Sequence, residues 1–318
     1  MSPFIIMLRN VLVFLALAVP GYMLVKLKIL KEEDTSPISK VLVKIGLPSL
    51  IFANSLNMNI KGWEALTLVV VALVSLAIIL ITVFISTLVT KGFEEKTRKT
   101  AKYAMSFSNS GFLGIPLAEA VFGSASSVMG YLVVANVVCC VGLNTIGVYL
   151  FTGDKKYISI KKILLNPAFL AFFFGIVINL SGVLNYVNEI TLIANHLKGL
   201  VTPISMMIVG IKLASIKPLN IFKSKNMYIV SAVKLLVQPI IIVCAMLIVG
   251  SFINIPSAII MGIFMAFAMP APGTTTSFAD MYDGDVDESV IYTLGTTILS
   301  VISIPILYYL ITLLGIIF

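Results

Sequence analysis

The chain is a succession of long apolar runs separated by short loops, a pattern that leaves few folds open to it. A helix needs roughly 20 apolar residues to cross a bilayer. Ten such runs can be marked, at about 4–27, 37–57, 64–90, 101–122, 127–151, 165–187, 197–216, 226–250, 255–279 and 288–316. Inside lipid only helices and closed barrels pair all their backbone groups internally, and runs of this length predict helices. Of the 318 residues, 59% are hydrophobic and 11% are charged, against about 45–50% and about 25% in soluble domains. A soluble fold would leave most of that apolar surface in water. The expected class is therefore an all-α integral membrane protein with ten transmembrane helices. Ala16-Leu17-Ala18 imitates a signal-peptide cleavage site, but the apolar run continues through Leu24 with no strong basic cluster before it, so a span is the expected reading.

The net charge of +8 would suit nucleic acid if the charges formed a surface, but they lie in short loops, so no nucleic-acid partner is expected. Loop 1 carries Lys26, Lys28 and Lys31; loop 3 carries Lys91, Lys96, Arg98, Lys99 and Lys102; loop 5 carries Lys155, Lys156, Lys161 and Lys162; loop 7 carries Lys212, Lys217, Lys223 and Lys225. The even-numbered loops hold only Lys61 and Lys198. Lysine and arginine accumulate on the cytoplasmic side, which puts the odd loops in the cytoplasm and both termini outside a cell membrane. Loop 9 differs, with Asp280, Asp283, Asp285, Asp287 and Glu288. Acids count little in that rule, and a solvated acidic loop is the simpler reading than cation binding.

Nothing in the chain resembles catalytic or cofactor chemistry. His196 is alone, Cys139, Cys140 and Cys244 all sit in apolar runs, and no metal-ligand spacing, nucleophile elbow or phosphate-binding loop occurs. No cofactor or metal is expected, and the protein is read as no enzyme.

Two of the runs are interrupted. Span 4 contains Ser108-Asn109-Ser110-Gly111-Phe112-Leu113-Gly114-Ile115-Pro116, and span 9 contains Pro270-Ala271-Pro272-Gly273-Thr274-Thr275-Thr276. Glycine and proline break helices, and backbone freed in a membrane is tolerated only when buried in protein or lining a wet cavity. Paired interruptions at corresponding places in two halves point to a transporter's binding site. The halves are 1–152 and 165–318, joined by a short linker at 153–164. Five spans in each half make the repeat inverted. The breaks keep a constant offset, with Phe107 opposite Phe267; Leu47-Pro48-Ser49 likewise answers Thr202-Pro203-Ile204.

The candidate substrate-binding residues follow from the breaks: Asn109, Ser110, Gly111, Gly114 and Pro116 in span 4, and Pro270, Gly273, Thr274 and Thr275 in span 9. Asn109 and the threonines offer hydrogen bonds, and a helix restarting after a break directs its first N–H groups at the cavity, which suits an anion. Lys44, about one turn inside span 2, is a candidate counter-charge; snorkelling toward the interface is the alternative. Lys234 in span 8, followed by Gln238 and Pro239, has the same two readings. Asn54, Asn57, Asn136 and Asn144 read as interhelical hydrogen bonders, and Trp63 as an interfacial belt residue. Glu119 is the nearest carboxylate to a span interior.

These motifs together resemble the auxin efflux carrier family, which includes the plant PIN carriers and bacterial malate permeases. Asn109-x-x-x-x-Gly114-x-Pro116 is similar to the family's broken fourth helix, and Pro270 followed by Phe278-Ala279-x-x-Tyr282 to its ninth. Lys44-x-x-x-Pro48, Val233-Lys234-x-Leu236-x-x-Pro239, Asn166-Pro167, and Pro305 followed by Tyr308-Tyr309 resemble its second, eighth, sixth and tenth. The resemblance covers nearly the whole chain. It implies two inverted five-helix repeats, a scaffold of helices 1, 2, 6 and 7, a transport domain that moves as an elevator, and a small organic anion as substrate, held beside the crossing of helices 4 and 9. It also implies pairing of two copies as a homodimer in membrane lipid. There are departures: the loop between the halves is about a dozen residues rather than long, and span 3, Leu66 to Val89, lacks the acid that plant members place in the third helix near a support lysine. A sodium-coupled symporter of the bile-acid type is the alternative among transporters. A membrane receptor would need a signalling domain, and an intramembrane enzyme would need a catalytic set; neither is seen in the sequence.

Overall fold

The computed structural model describes residues 3–58, 63–124, 126–185, 188–215, 221–250 and 255–313. Lys61 and Lys217, and the side chains of Trp63 and Glu64, lie outside the described part.

Every regular element among the described residues is helical. The main helices are α1 (Pro3–Ala16), α2 (Val19–Lys26), α3 (Thr35–Val41), α4 (Leu47–Leu56), α5 (Trp63–Val89), α6 (Glu95–Ser106), α7 (Ile115–Phe122), α8 (Ser127–Asn144), α9 (Ile146–Thr152), α10 (Ile160–Leu164), α11 (Pro167–Ser181), α12 (Glu189–Gly199), α13 (Val201–Ser215), α14 (Lys225–Ala232), α15 (Gln238–Gly250), α16 (Ser257–Phe267), α17 (Thr275–Met281) and α18 (Val286–Leu313). Seven continuous helical stretches among them are long and apolar enough to cross a membrane. They correspond to runs 1, 2, 3, 5, 7, 8 and 10 of the sequence. Run 6 forms only the 15-residue α11. Runs 4 and 9 are divided by their breaks, so neither half of either reaches spanning length. Large side chains such as Leu73, Phe84, Phe174 and Ile302 are more than half exposed, as expected of helices whose outer faces meet lipid rather than water.

Three π turns interrupt the helices, at Leu42–Gly46, Ser110–Gly114 and Val233–Val237. Each ends two residues before a proline: Pro48, Pro116 and Pro239. Proline donates no hydrogen bond and its ring collides with the carbonyl four residues back. In each case the amide just before the proline reaches five residues back instead, from Leu47 to Leu42 O, Ile115 to Ser110 O and Gln238 to Val233 O. The widened turn admits the ring without ending the helix.

Helices α2 and α13 approach closely because both present glycine. A methyl built on Gly210 would stand 1.9 Å from Ala18 O, and one on Gly21 would stand 2.1 Å from Met207 O. Small residues at a membrane helix interface allow this kind of backbone approach. Helix α4 packs on α11 and α12, while α8 packs on α5 and α16 and α18 on α14 and α17.

The loops collect at two ends. At one end Lys26 Nζ donates to Ala214 O at 3.3 Å, Thr97 Oγ1 to Asp285 Oδ2 at 2.6 Å, and Ser224 Oγ to Glu288. Lys96 pairs with Asp283. Loops 1, 3, 7 and 9 thus share this basic end. The loop 9 acids have structural tasks there: Asp285 Oδ1 accepts from Glu288 N at 3.0 Å, capping α18, while Asp285 N donates to Thr100 Oγ1 at 2.9 Å. The hydrogen bond from Lys96 holds the Asp283 carboxyl below its ordinary pKa. A carboxyl depressed in the fold contributes above its unfolded pKa and loses that contribution as the pH falls through its folded value, so this tie loosens on acidification. Asp285→Ala is expected to cost about 1 kcal/mol as a lost cap, read as faster amide exchange in the first turn of α18.

At the opposite end Asn179 Nδ2 donates to Ser55 O and Met58 O at 3.0 and 2.8 Å, and Lys198 reaches Glu119. Loops 2, 4 and 6 meet there.

Candidate functional site

The two breaks lie against each other. Helix α6 ends at Ser106, Phe107 is extended, and the chain turns through Asn109 (φ −78°, ψ 45°) into the π turn before α7. Asn109 N donates to Pro270 O at 2.9 Å, and Ser108 Oγ to Phe267 O at 3.3 Å. On the other strand of the crossing, Ala271 N donates to Thr296 Oγ1 at 3.1 Å and Thr275 Oγ1 to Pro272 O at 2.6 Å. One backbone amide freed by each break, Asn109 N and Ala271 N, is thus taken up by the other break or by α18.

The glycines allow the close approach. A methyl on Gly114 would meet Met265 O at 2.8 Å, and one on Gly111 would meet Leu47 Cδ1 at 2.6 Å and Asn136 Oδ1 at 3.2 Å. Ser110 Oγ donates to Asn136 Oδ1 at 2.8 Å, and Asn136 Nδ2 is buried without a hydrogen-bond partner. Asn109 is buried and its carboxamide does not cap the helix that follows. Leu113 N and Gly114 N both donate to Asn109 O, at 3.1 and 3.2 Å, so these two first-turn amides are not available to an anion. Those of Ser110, Gly111 and Phe112 are not taken by backbone carbonyls. Thr274 Oγ1 is buried without a partner, Gly273 is half-buried with open space beside it, and Pro116 faces a cavity described below.

Lys44 is not part of this arrangement. It is exposed on its π turn and takes no part in the bonds that join the breaks. The buried lysine at the crossing is Lys234, whose side chain is fully enclosed, while Lys212 Nζ donates to Thr276 Oγ1 beside the span 9 break at 3.5 Å. Its Nζ donates to Ser108 Oγ on the span 4 break and to Gln238 Oε1 at 2.5 Å. Gln238 Nε2 donates to Thr82 Oγ1 at 3.1 Å, and Thr82 Oγ1 to Ile78 O at 2.8 Å. This chain of polar groups links α5, the π turn of α14–α15 and both breaks. None of the hydrogen bonds of Lys234 among the described residues goes to a carboxylate.

The other polar residues read from the sequence divide. Asn54, Asn57 and Asn144 each donate to the carbonyl four residues back in their own helix, so the interhelical role expected for them falls to Asn136 and, through its oxygen, to Asn54. Cys139 and Cys140 are buried and Cys244 is exposed, all as free thiols. From the crossing toward the basic end runs an aromatic column: Tyr103 lies 5.0 Å from Phe278 between ring centroids, Phe278 lies 5.9 Å from Tyr282, and Tyr282 lies 6.0 Å from Tyr157. The Phe278-Ala279-x-x-Tyr282 spacing puts both rings on one face of α17.

Between the crossing and the opposite end is a cavity of about 420 Å³, lined from α4, α7, α12 and α13 by residues including Pro116, Glu119, Lys198 and Thr202. Lys198 Nζ lies 2.8 Å from Glu119 Oε1 and donates also to Asn54 Oδ1 at 3.3 Å. In the sequence these residues fall in separate loops and spans; the pairing spans 79 positions and is carried only by the fold.

A many-helix membrane protein whose two interrupted segments cross about buried polar groups, beside a cavity, has the build of a membrane transport protein. A family model described as membrane transport protein matches residues 5–163 and 156–308. The chain belongs to that family, the auxin efflux carriers. An uncharacterized transporter of Methanothermobacter thermautotrophicus (strain Delta H) is 25% identical over 299 residues, covering 93% of this chain and 96% of its own length.

Proposed function

We propose that the protein is a secondary transporter that moves a small carboxylate anion across the cell membrane by elevator-like alternating access. The observation that carries this is the joint between the breaks: Asn109 N on Pro270 O, with the fully buried Lys234 bonded to Ser108 beside it. A cation held in a membrane interior is by default a functional residue, and an entering anion is the ligand it suits. The architecture proposed is ten membrane segments in two inverted repeats, 1–152 and 165–318. The grouping of loops 1, 3, 7 and 9 at one end and 2, 4 and 6 at the other supports alternating passage. The packing of α2 on α13 and of α4 on α11 and α12 supports a scaffold of segments 1, 2, 6 and 7. The lysine distribution supports a cytoplasmic basic end and termini outside. A homodimer remains part of the proposal from the family alone.

The test is flux of labelled malate and indole-3-acetate into proteoliposomes at imposed potentials, with and without a sodium gradient. Saturable uptake that follows the potential alone is expected. Uptake that needs sodium would replace the proposed uniport with sodium symport, and absence of flux for every carboxylate would overturn the substrate class. Asn109→Ala is expected to lower the initial rate at least tenfold, about 1.4 kcal/mol of lost interaction, with the amount of folded protein unchanged. Unaltered uptake would remove Asn109 from the site.

A further inference from the structure

We propose that Lys198 is the residue that captures the substrate's carboxylate at the mouth of the cavity, and that Glu119 is a built-in stand-in which the incoming anion displaces. This rests on the reading of the protein as a carboxylate carrier and adds a named binding residue away from the crossing.

The cavity of about 420 Å³ is within the range of small-molecule sites, about 300–1,000 Å³. Among its described lining residues Lys198 is the cation and Glu119 the carboxylate, and they are bonded to each other at 2.8 Å. Their side chains are 14% and 29% exposed, so neither is a freely solvated loop charge. Asn54, itself buried, gives its oxygen to Lys198 at 3.3 Å while its nitrogen donates to Leu50 O. Its carboxamide is thereby fixed with the acceptor toward the ammonium, which holds Lys198 at the cavity wall. Around them Asn57, Asn195, Ser124 and Thr202 add neutral polar groups suited to the rest of a small organic acid.

The pair is what a site for an external carboxylate looks like with an internal one in it. Removing a partner from a partly buried ion pair leaves the other charge uncompensated, which is strongly unfavourable. An incoming carboxylate spares Lys198 that penalty by replacing Glu119 one for one, and the displaced Glu119, the more exposed of the pair, turns to water. The placement also links capture to the crossing. Glu119 lies on α7, the helix that restarts from the Asn109 break, whereas Lys198 and Asn54 lie on α12 and α4. Displacement therefore releases α7 from α4 and α12.

Opposite effects of the two partners are the signature. In proteoliposomes, Glu119→Gln removes the competitor and is expected to lower the half-saturating concentration of malate or indole-3-acetate about tenfold, whereas Lys198→Gln raises it about tenfold or more, and Lys198→Arg recovers part of the loss. A purely structural brace predicts the same direction for both variants, through loss of folded protein. Competition by the neutral amide of the same acid should be unaffected by either substitution. Losses in the same direction, or unchanged half-saturation in both variants while the wild type transports, would overturn the inference and leave the transporter reading standing. No carboxylate flux in the wild type would overturn both.

Discussion

Lys234→Met is expected to abolish carboxylate uptake while leaving a protein that inserts and folds. Methionine keeps the length and apolar stem of lysine, so the packing around α14 and α15 is retained. What is lost is the ammonium that joins Ser108 of the span 4 break to Gln238. Gln238 Oε1 then has no donor, and an unpaired buried acceptor costs about 1–3 kcal/mol, a loss the fold can bear. The transport consequence is larger: without Lys234 the buried charge on the span 4 break is gone, Lys212 reaching Thr276 past the span 9 break instead, and the initial rate should fall by well over tenfold. Lys234→Arg should not restore it, because a planar five-donor fork does not fit a site built for a compact ammonium between two side-chain oxygens. Flux equal to wild type in Lys234→Met, measured at matched protein density, would show that the lysine is a brace between helices and not the counter-charge.

The second large effect is on assembly. Gly210→Ala adds one methyl at a point where Ala18 O would lie 1.9 Å away, and that neighbour is backbone and cannot rotate aside. The helices α2 and α13 would have to part by more than an ångström along their contact. Overpacking with no side chain to yield falls at or above the upper end of the usual range of about 1–3 kcal/mol. The expected result is a thermal midpoint several degrees lower in detergent and a smaller yield of monodisperse protein, with Gly21→Ala behaving alike because it faces Met207 O. Gly92→Ala, which has open space around it, is the matched control. An unchanged midpoint in Gly210→Ala would mean that the two helices do not pack as described.

The helical runs and the two breaks could be read from the chain because lipid restricts backbone structure and because proline and glycine announce themselves. Which lysine enters the crossing could not. Lys44 and Lys234 both sit inside apolar runs, four and five residues ahead of a proline, and differ only in the face of the helix they occupy. That face is set by helix phase, which each π turn shifts out of the 3.6-residue pattern. The same limit hid the Asn136 contact with Ser110 and the pairing of Glu119 with Lys198, since a sequence names residue types and not the helix opposite. Loop 9 is solvated as its composition suggests, with the Asp283 side chain 74% exposed, yet Asp285 also accepts from Thr97 of loop 3 and caps α18, contacts that composition does not announce.

The π turn at Ser110–Gly114 acts as an angular spacer. An α-helix advances about 100° per residue, so shortening this turn by one residue would rotate all of α7 by that angle while hardly changing its length. Asn109 would keep its bond to Pro270, but Glu119 would swing away from Lys198 and Pro116 from the cavity wall. Within this one segment, the bearing of the cavity relative to the crossing is set by the number of residues in a single turn. Single-residue insertions and deletions there should consequently be far more damaging than substitutions of equal size.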